Sequence, residues 1–399
     1  MAEISKNTPS AANIVHYAML VREKAMERYG IDKLTSATEL LFSRNGMTTS
    51  QKFDAIQTLF TDISDYAKTG NRRGLREFSE VMGDWVDEVE ARWSDSDATR
   101  GLSTGIGSLD DLLQPKGLVK GALMVIGARP KMGKTTLYSQ LAVNCAEVEQ
   151  LPALMFSLEM PDKQIVERMI GQVSRVNTDV FYGDRYDDAK VAMAFAAGGR
   201  LAQTGNLYVD DTPGITLAHI VAESRRIKRE RGAVGMVLVD YLTLMTADKA
   251  DRNDLAYGII TKGLKNLAKE LNCIVVLLTQ LNRDLEKRTN KRPMPSDSRD
   301  TGQIEQDCDL WIGLYRDVVY NDKINAELQD IAEIIVRLNR EGFTGTIYTR
   351  FVNGRYLDVD QTSVAAIHGR IEEEANRIKE EKAASKSQKK GGYFKDKEF

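Results

Sequence analysis

Apolar positions follow two rhythms along the chain, and the rhythm changes near residue 94. Up to there the spacing is helical. NIVHYAMLVREKAMERYG, LTSATELLF, a run near 50–68 and RRGLREFSEVMGDWVDEVEARW each predict a helix. In the last, Phe78, Val81, Met82, Trp85, Val89 and Trp93 recur at spacings of three, four and seven, one apolar face that needs a partner surface. The polar stretch SDSDAT, 94–99, breaks the pattern and predicts a domain boundary. Beyond it come ALMVIGA, ALMFSLE, LYVDD, VGMVLVDYL, CIVVLLTQL, LWIGLYR and AEIIVRLN, mostly too continuous to have a solvated face. Such runs predict buried parallel strands. Amphipathic stretches such as TLAHIVAESRRIKRERG and NDLAYGIITKGLKNLAKELN lie between them, so residues 101–360 read as a doubly wound α/β domain. A charged, helix-like IEEEANRIKEEKAA follows, and KSQKKGGYFKDKEF has little to bury and predicts disorder.

With 399 residues and 42% hydrophobic content, the chain has room for one large core and a smaller accessory domain. The net charge of −3 excludes a protein coated in basic residues, so any contact with nucleic acid must come from a local patch. Cys145, Cys273 and Cys308 are far apart in apolar segments and read as core thiols rather than metal ligands or a disulfide framework. No apolar run approaches the ~18 residues of a membrane span, and the N-terminus has no signal-peptide pattern, so a soluble cytoplasmic protein is expected. His16, His219 and His368 are isolated, and the basic run Arg225 to Arg231 reads as the solvated face of a helix.

The candidate chemistry begins where the first strand ends. Ala128, Arg129, Pro130, Lys131, Met132, Gly133, Lys134, Thr135 and Thr136 form an A-x-x-x-x-G-K-T turn that opens a helix. In a phosphate-binding loop, backbone N–H groups surround the phosphates, the lysine reaches the outer ones and the hydroxyl helps hold Mg²⁺. Here Ala128 replaces the usual first glycine. Asp240 ends the run VLVD, where it would be the metal-side carboxylate or a cap for the next segment. Glu159, at the end of the FSLE run, would be a general base or a surface ion-pair partner. Gln280 would sense the γ-phosphate or simply mark a strand-end turn. SDSRDTGQIEQDCD reads as a polar loop between strands, either an inert connection or a clamp on single-stranded nucleic acid.

Taken together, ARPKMGKT, FSLEM, VLVDYLTLM, TQLNRDLEKR, KRPMPSDSRDTGQIEQDCDL and YRDVVY resemble, in order and spacing, the DnaB-type replicative helicases over roughly residues 101–358. FSLEM and QIEQD separate them from recombinases of the same fold. The resemblance implies a RecA-like P-loop NTPase domain with a mostly parallel sheet, assembled as a homo-hexamer. Such a ring hydrolyses ATP or another NTP with Mg²⁺, moves 5′ to 3′ on single-stranded DNA, and works with a primase and a helicase loader. It implies Glu159 as catalytic base, Gln280 as sensor, Thr135 and Asp240 at the metal, Arg299, Asp300 and Gly302 at the DNA, and Arg340 as an arginine finger acting on the neighbouring subunit. Leu338 stands where the family usually has lysine, with Arg337 beside it as a partial substitute, and Asp300 stands where it usually has glutamate.

By the same resemblance, residues 1–70 form a reduced helical N-terminal domain, 71–100 a linker helix and linker, 101–360 the motor and 361–399 a charged tail. The shortness of the N-terminal part suggests a phage or plasmid replicon. Two other readings stand beside this one: a RecA-like recombinase that forms filaments, and an inhibitor or adaptor that keeps the fold without the motor. Intact Lys134, Thr135, Glu159, Asp240 and Arg340 argue against the second, since a decoy has no chemical need for all five.

Overall fold

The computed structural model describes residues 14–43, 46–69, 75–94, 101–113, 117–182, 187–240, 253–298, 301–321, 326–367, 369–370 and 373. The chain divides into two units, Met1–Ser96 and Asp97–Phe399.

The first unit is helical where it is described. The two segments predicted to form separate helices at its start are one, α1 (Ile14–Phe42), which runs through Gly30 because nothing crowds that position and the helix packs on α2 (Thr49–Thr69) beyond it. Lys33 reaches Asp62 at 3.2 Å, and Ala37 is buried. The turn into α2 is a capping box: Thr48 Oγ1 accepts the Gln51 N–H while Gln51 Oε1 accepts the Thr48 N–H. In α3 (Phe78–Ser94), Phe78, Val81, Met82, Trp85 and Trp93 are all exposed in the single chain.

The second unit is built on one nine-stranded sheet of order β3-β2-β4-β5-β1-β6-β7-β8-β9. β1 (Leu123–Ala128), β2 (Ala153–Ser157), β3 (Leu207–Asp210), β4 (Met236–Asp240), β5 (Ile274–Gln280) and β6 (Leu310–Tyr315) pair in parallel. β7 (Ile331–Asn339), β8 (Gly345–Val352) and β9 (Arg355–Asp358) extend the sheet antiparallel. The central strands bury both faces. Met124 and Ile126 of β1 join one core layer and Leu123 and Val125 the other, and β4 and β5 split the same way.

A helix layer covers each face. On one side lies α5 (Lys134–Glu147), with Leu137, Tyr138 and Leu141 buried; α4 (Gly107–Leu112) adds Leu109, and α6 (Asp162–Ser174) and α7 (Asp188–Thr204) flank it. On the other lie α8 (Leu217–Arg231) and α9 (Asn253–Leu271). The three cysteines are buried and unbridged, and burial pushes each thiol up to about 12, as expected of packing residues. The basic run in α8 is tied up at the surface, Arg225 with Glu270 and Arg226 with Glu223 and Glu230. His219 bonds Asp210 at 2.7 Å. His368 lies outside the described residues.

One expected loop is not wholly a loop. Within SDSRDTGQIEQDCD the backbone of Thr301–Asp307 forms a short helix, α10, which includes Gly302. Its buried Ile304 packs into the core layer beneath α9, an apolar anchor that a purely polar loop would lack. Arg299 and Asp300 lie outside the described residues.

Candidate nucleotide site at the strand ends

Strand register brings the predicted residues to one edge of the sheet. Ser157 of β2 lies beside Asp240 of β4, and Ala128 of β1 lies beside Gln280 of β5. In a parallel sheet the carboxyl ends of adjacent strands open into a shared crevice, where α/β proteins bind their ligands. The crevice here is a cleft of about 360 Å³ lined by Ala128 to Lys131, Gly133 to Thr136, Glu159, Arg168, Gln280, Arg316 and Phe351.

The loop from Arg129 to Gly133 has its shape fixed from behind. Lys131 and Gly133 take left-handed backbone conformations, with φ of 68° and 95°. At Gly133 a side chain would also collide: an added Cβ would lie 2.5 Å from the Tyr356 hydroxyl and 2.7 Å from Phe351. Those rings hold the loop, since Tyr356 donates to the Met132 carbonyl at 2.8 Å and the buried Met132 thioether meets the Arg316 backbone N–H. Ala128 needs no left-handed conformation; it pairs as ordinary strand and its methyl group is buried, so the usual glycine is dispensable here. Gly133 caps α5, and no side chain caps the helix. Its first N–H groups and the positive end of its dipole therefore face the cleft, a setting suited to phosphate.

Charge converges on that helix end. The Lys134 ammonium lies 3.0 Å from Asp240 Oδ1 and 3.9 Å from Glu159 Oε2. Asp240 is only 1% exposed, and neither of its oxygens accepts a hydrogen bond among the described residues, so the ammonium is its compensation. A buried carboxylate short of donors beside a threonine hydroxyl position fits a hard cation bound mainly by phosphate oxygens. Among the described residues no cluster of three or more His, Cys, Asp or Glu side chains forms a dedicated cage. Glu159 is placed differently from Asp240. β2 ends at Ser157, two residues earlier than expected, and a turn pinned by Ser157 Oγ, which donates to the Met160 carbonyl and accepts its N–H, presents Glu159 with 55% of its side chain exposed.

Three cleft residues, Arg168, Arg316 and Phe351, carry no motif signal of their own in the sequence. Arg168, on α6, is held below the usual guanidinium range by burial, against the pull of Asp240 and Glu159. Arg316 stacks its guanidinium 4.0 Å over the Phe351 ring and donates to the Lys131 carbonyl at 3.2 Å. Arg168 carries no local signal, because one arginine in an amphipathic helix looks like any solvated position. Arg316 sits in the YRDVVY stretch, which carries no chemical signal beyond its place in the order of motifs.

Arg340 is elsewhere. It follows β7, its backbone N–H donates to the Asp309 carbonyl at 2.9 Å, and its exposed guanidinium donates to the Gln306 carbonyl at the end of α10. It does not line the cleft of its own chain. Leu338 packs on a core layer, and Arg337 donates to the Pro293 carbonyl at 3.5 Å, a partner within its own chain.

A parallel sheet with a glycine-lysine-threonine loop at its edge, an acidic strand end beside it and an antiparallel extension defines a P-loop nucleoside triphosphatase of the RecA-like type. The family model of the DnaB-like helicase C terminal domain matches residues 101–357, and the chain belongs to that family. It is 38% identical to the replicative DNA helicase DnaB of Pasteurella multocida over 88% of this chain and 75% of that one, and 38% identical to that of Haemophilus influenzae over 90% and 76%. Among solved structures, a DnaB-like replicative helicase, described together with its interactions with primase, superposes with a TM-score of 0.70 at 26% identity. That match covers 90% of this chain and 82% of that one. Among the described residues no helix is long and apolar enough to cross a membrane.

Proposed function

We infer that the protein is a replicative DNA helicase, an ATP-hydrolysing motor that moves 5′ to 3′ along single-stranded DNA as a hexameric ring. The observation that carries this reading is the strand-end cluster of Lys134, Asp240, Glu159 and Gln280 in a chain of the DnaB-like helicase family. Triphosphate entering the cleft draws the Lys134 ammonium from its two carboxylates to the β- and γ-phosphates, while the open end of α5 supplies N–H donors. Thr135 and the freed Asp240 would hold Mg²⁺, which when bound would neutralise charge on the transferring phosphoryl group. Glu159 accepts the proton of the water that attacks the γ-phosphorus. Arg168 faces the same charge from α6, and Gln280, shoulder to shoulder with Ala128, registers whether the γ-phosphate is present. Arg340 reaches the cleft of the next subunit.

The exposed apolar face of α3 suits a helix covered by a neighbouring subunit in that ring. At ~1.5–3 kcal/mol per large side chain buried, Phe78, Trp85 and Trp93 would contribute several kcal/mol to each interface. Primase and a loader are partners of the same reading.

DNA is assigned to the segment around Arg299, Asp300 and Gly302, where an arginine can bond phosphate and a glycine lets backbone approach closely. Arg299→Ala should weaken single-stranded DNA binding and abolish DNA stimulation of hydrolysis while basal hydrolysis continues. Fluorescence anisotropy across a salt series checks this; unchanged affinity in the variant would place the DNA elsewhere on the ring.

A further inference from the structure

The phosphate loop is bonded to the segment that leads into the assigned DNA contact, through a cleft-lining arginine whose guanidinium is held by that segment. Arg129 is the first loop residue after β1 and is only 8% exposed. Its Nε donates to Glu286 Oε1 at 2.8 Å and its Nη1 to the Leu281 carbonyl at 2.9 Å. A guanidinium so buried and so paired is a rigid fork rather than a free phosphate ligand.

Both acceptors belong to one closed loop. Leu281 follows β5, takes the Ala128 carbonyl with its own N–H and forms a bridge with Ser298; next to it, the Asn282 N–H donates to the Asp297 carbonyl at 2.7 Å. The far end is anchored as well, for Ser298 Oγ accepts the Trp311 indole N–H at 3.2 Å and Arg288 donates to Asp297 at 2.6 Å. The loop thus leaves β5 at Leu281 and returns to the same point at Ser298, one residue before Arg299. A shift of the phosphate loop on filling would act through Arg129 on Leu281 and Glu286, and from Leu281 through its bridge to Ser298 at the far end, and the same connection would act in reverse.

We infer that the Arg129–Glu286 ion pair couples nucleotide occupancy to DNA affinity, with Glu286 as a positioning residue that touches neither ligand. This rests on the assignment of DNA to the segment around Arg299. Glu286 is 40% exposed and Gln keeps an acceptor oxygen for Arg129 Nε, so Glu286→Gln removes charge from the joint with little cost to the fold. Coupling between two sites is reciprocal: nucleotide changes DNA affinity by the same factor as DNA changes nucleotide affinity, typically about 5- to 150-fold.

The experiment titrates fluorescent single-stranded DNA into the full chain with and without a non-hydrolysable ATP analogue, for the unaltered protein, Glu286→Gln and Glu286→Ala, with thermal unfolding midpoints recorded. The expected result is that all three bind DNA alike without nucleotide and hydrolyse ATP alike without DNA. The analogue shifts DNA affinity strongly only in the unaltered protein, and the shift collapses toward unity in both variants. DNA stimulation of hydrolysis falls in parallel. A full shift retained in Glu286→Ala, or no shift in an unaltered protein that binds DNA, overturns the coupling and leaves the helicase reading standing. An unaltered protein that does not bind DNA at all overturns that reading, and the coupling with it.

Discussion

Arg340→Ala subunits are expected to assemble and to hydrolyse ATP about 10³-fold or more slowly than the unaltered chain, the usual worth of charge supplied across a subunit boundary. The geometry gives the reason. Arg340 stands at the exposed turn between β7 and β8, outside its own cleft, where it is open to a neighbouring subunit. Its backbone is anchored to Asp309 and its guanidinium rests on the last turn of α10, whose carbonyls carry partial negative charge. If the contact is made in trans, as proposed, the defect should be complemented. Rings mixed from Arg340→Ala and Lys134→Ala subunits contain interfaces that pair an intact cleft with an intact arginine, and these should recover part of the turnover. Hydrolysis measured on mixed rings of verified composition checks this; no recovery would mean that Arg340 acts within its own chain or not at all.

Glu159→Gln separates chemistry from binding. Glutamine keeps the size of the side chain and the turn pinned by Ser157, and removes the carboxylate proposed to accept the water's proton. ATP should bind with near-normal affinity while turnover falls by about 10² to 10⁴, the range for loss of a positioned base. Lys134→Ala should instead weaken binding itself and leave the buried Asp240 without its compensating charge. Calorimetric binding beside steady-state turnover distinguishes the two, and normal turnover in Glu159→Gln would remove the residue from the base role.

The strands that position this site were legible because they are buried on both faces. Continuous runs such as MVLVD and IVVLLTQ have no helical alternative at that length, and the turn residues that follow them fix where the cleft opens. β8 and β9 were harder to see, since only Ile347, Thr349 and Tyr356 in them are buried and half-exposed alternation competes with turn signals such as Asn353-Gly354. The break expected at Gly30 followed local propensity, which α1 overrides by packing along α2. In the site itself, Lys134, Asp240, Glu159 and Gln280 end runs or open a helix, so their places are local facts. Arg168 enters the cleft only because α6 packs against α5, and the Arg129–Glu286 pair spans 157 positions in sequence. Contacts of that kind are made by the fold and leave no mark in any short window.

The central claim is that this chain is a motor that opens duplex DNA, and unwinding of a forked duplex with ATP tests it most directly. Substrates carrying a 5′ tail alone, a 3′ tail alone, or both are compared with the unaltered protein and with Glu159→Gln. The account predicts ATP-dependent strand separation that requires the 5′ tail, proceeds best when both tails are present, and is lost in Glu159→Gln. Brisk ATP hydrolysis with no separation of any fork, or separation that needs only the 3′ tail, would contradict it.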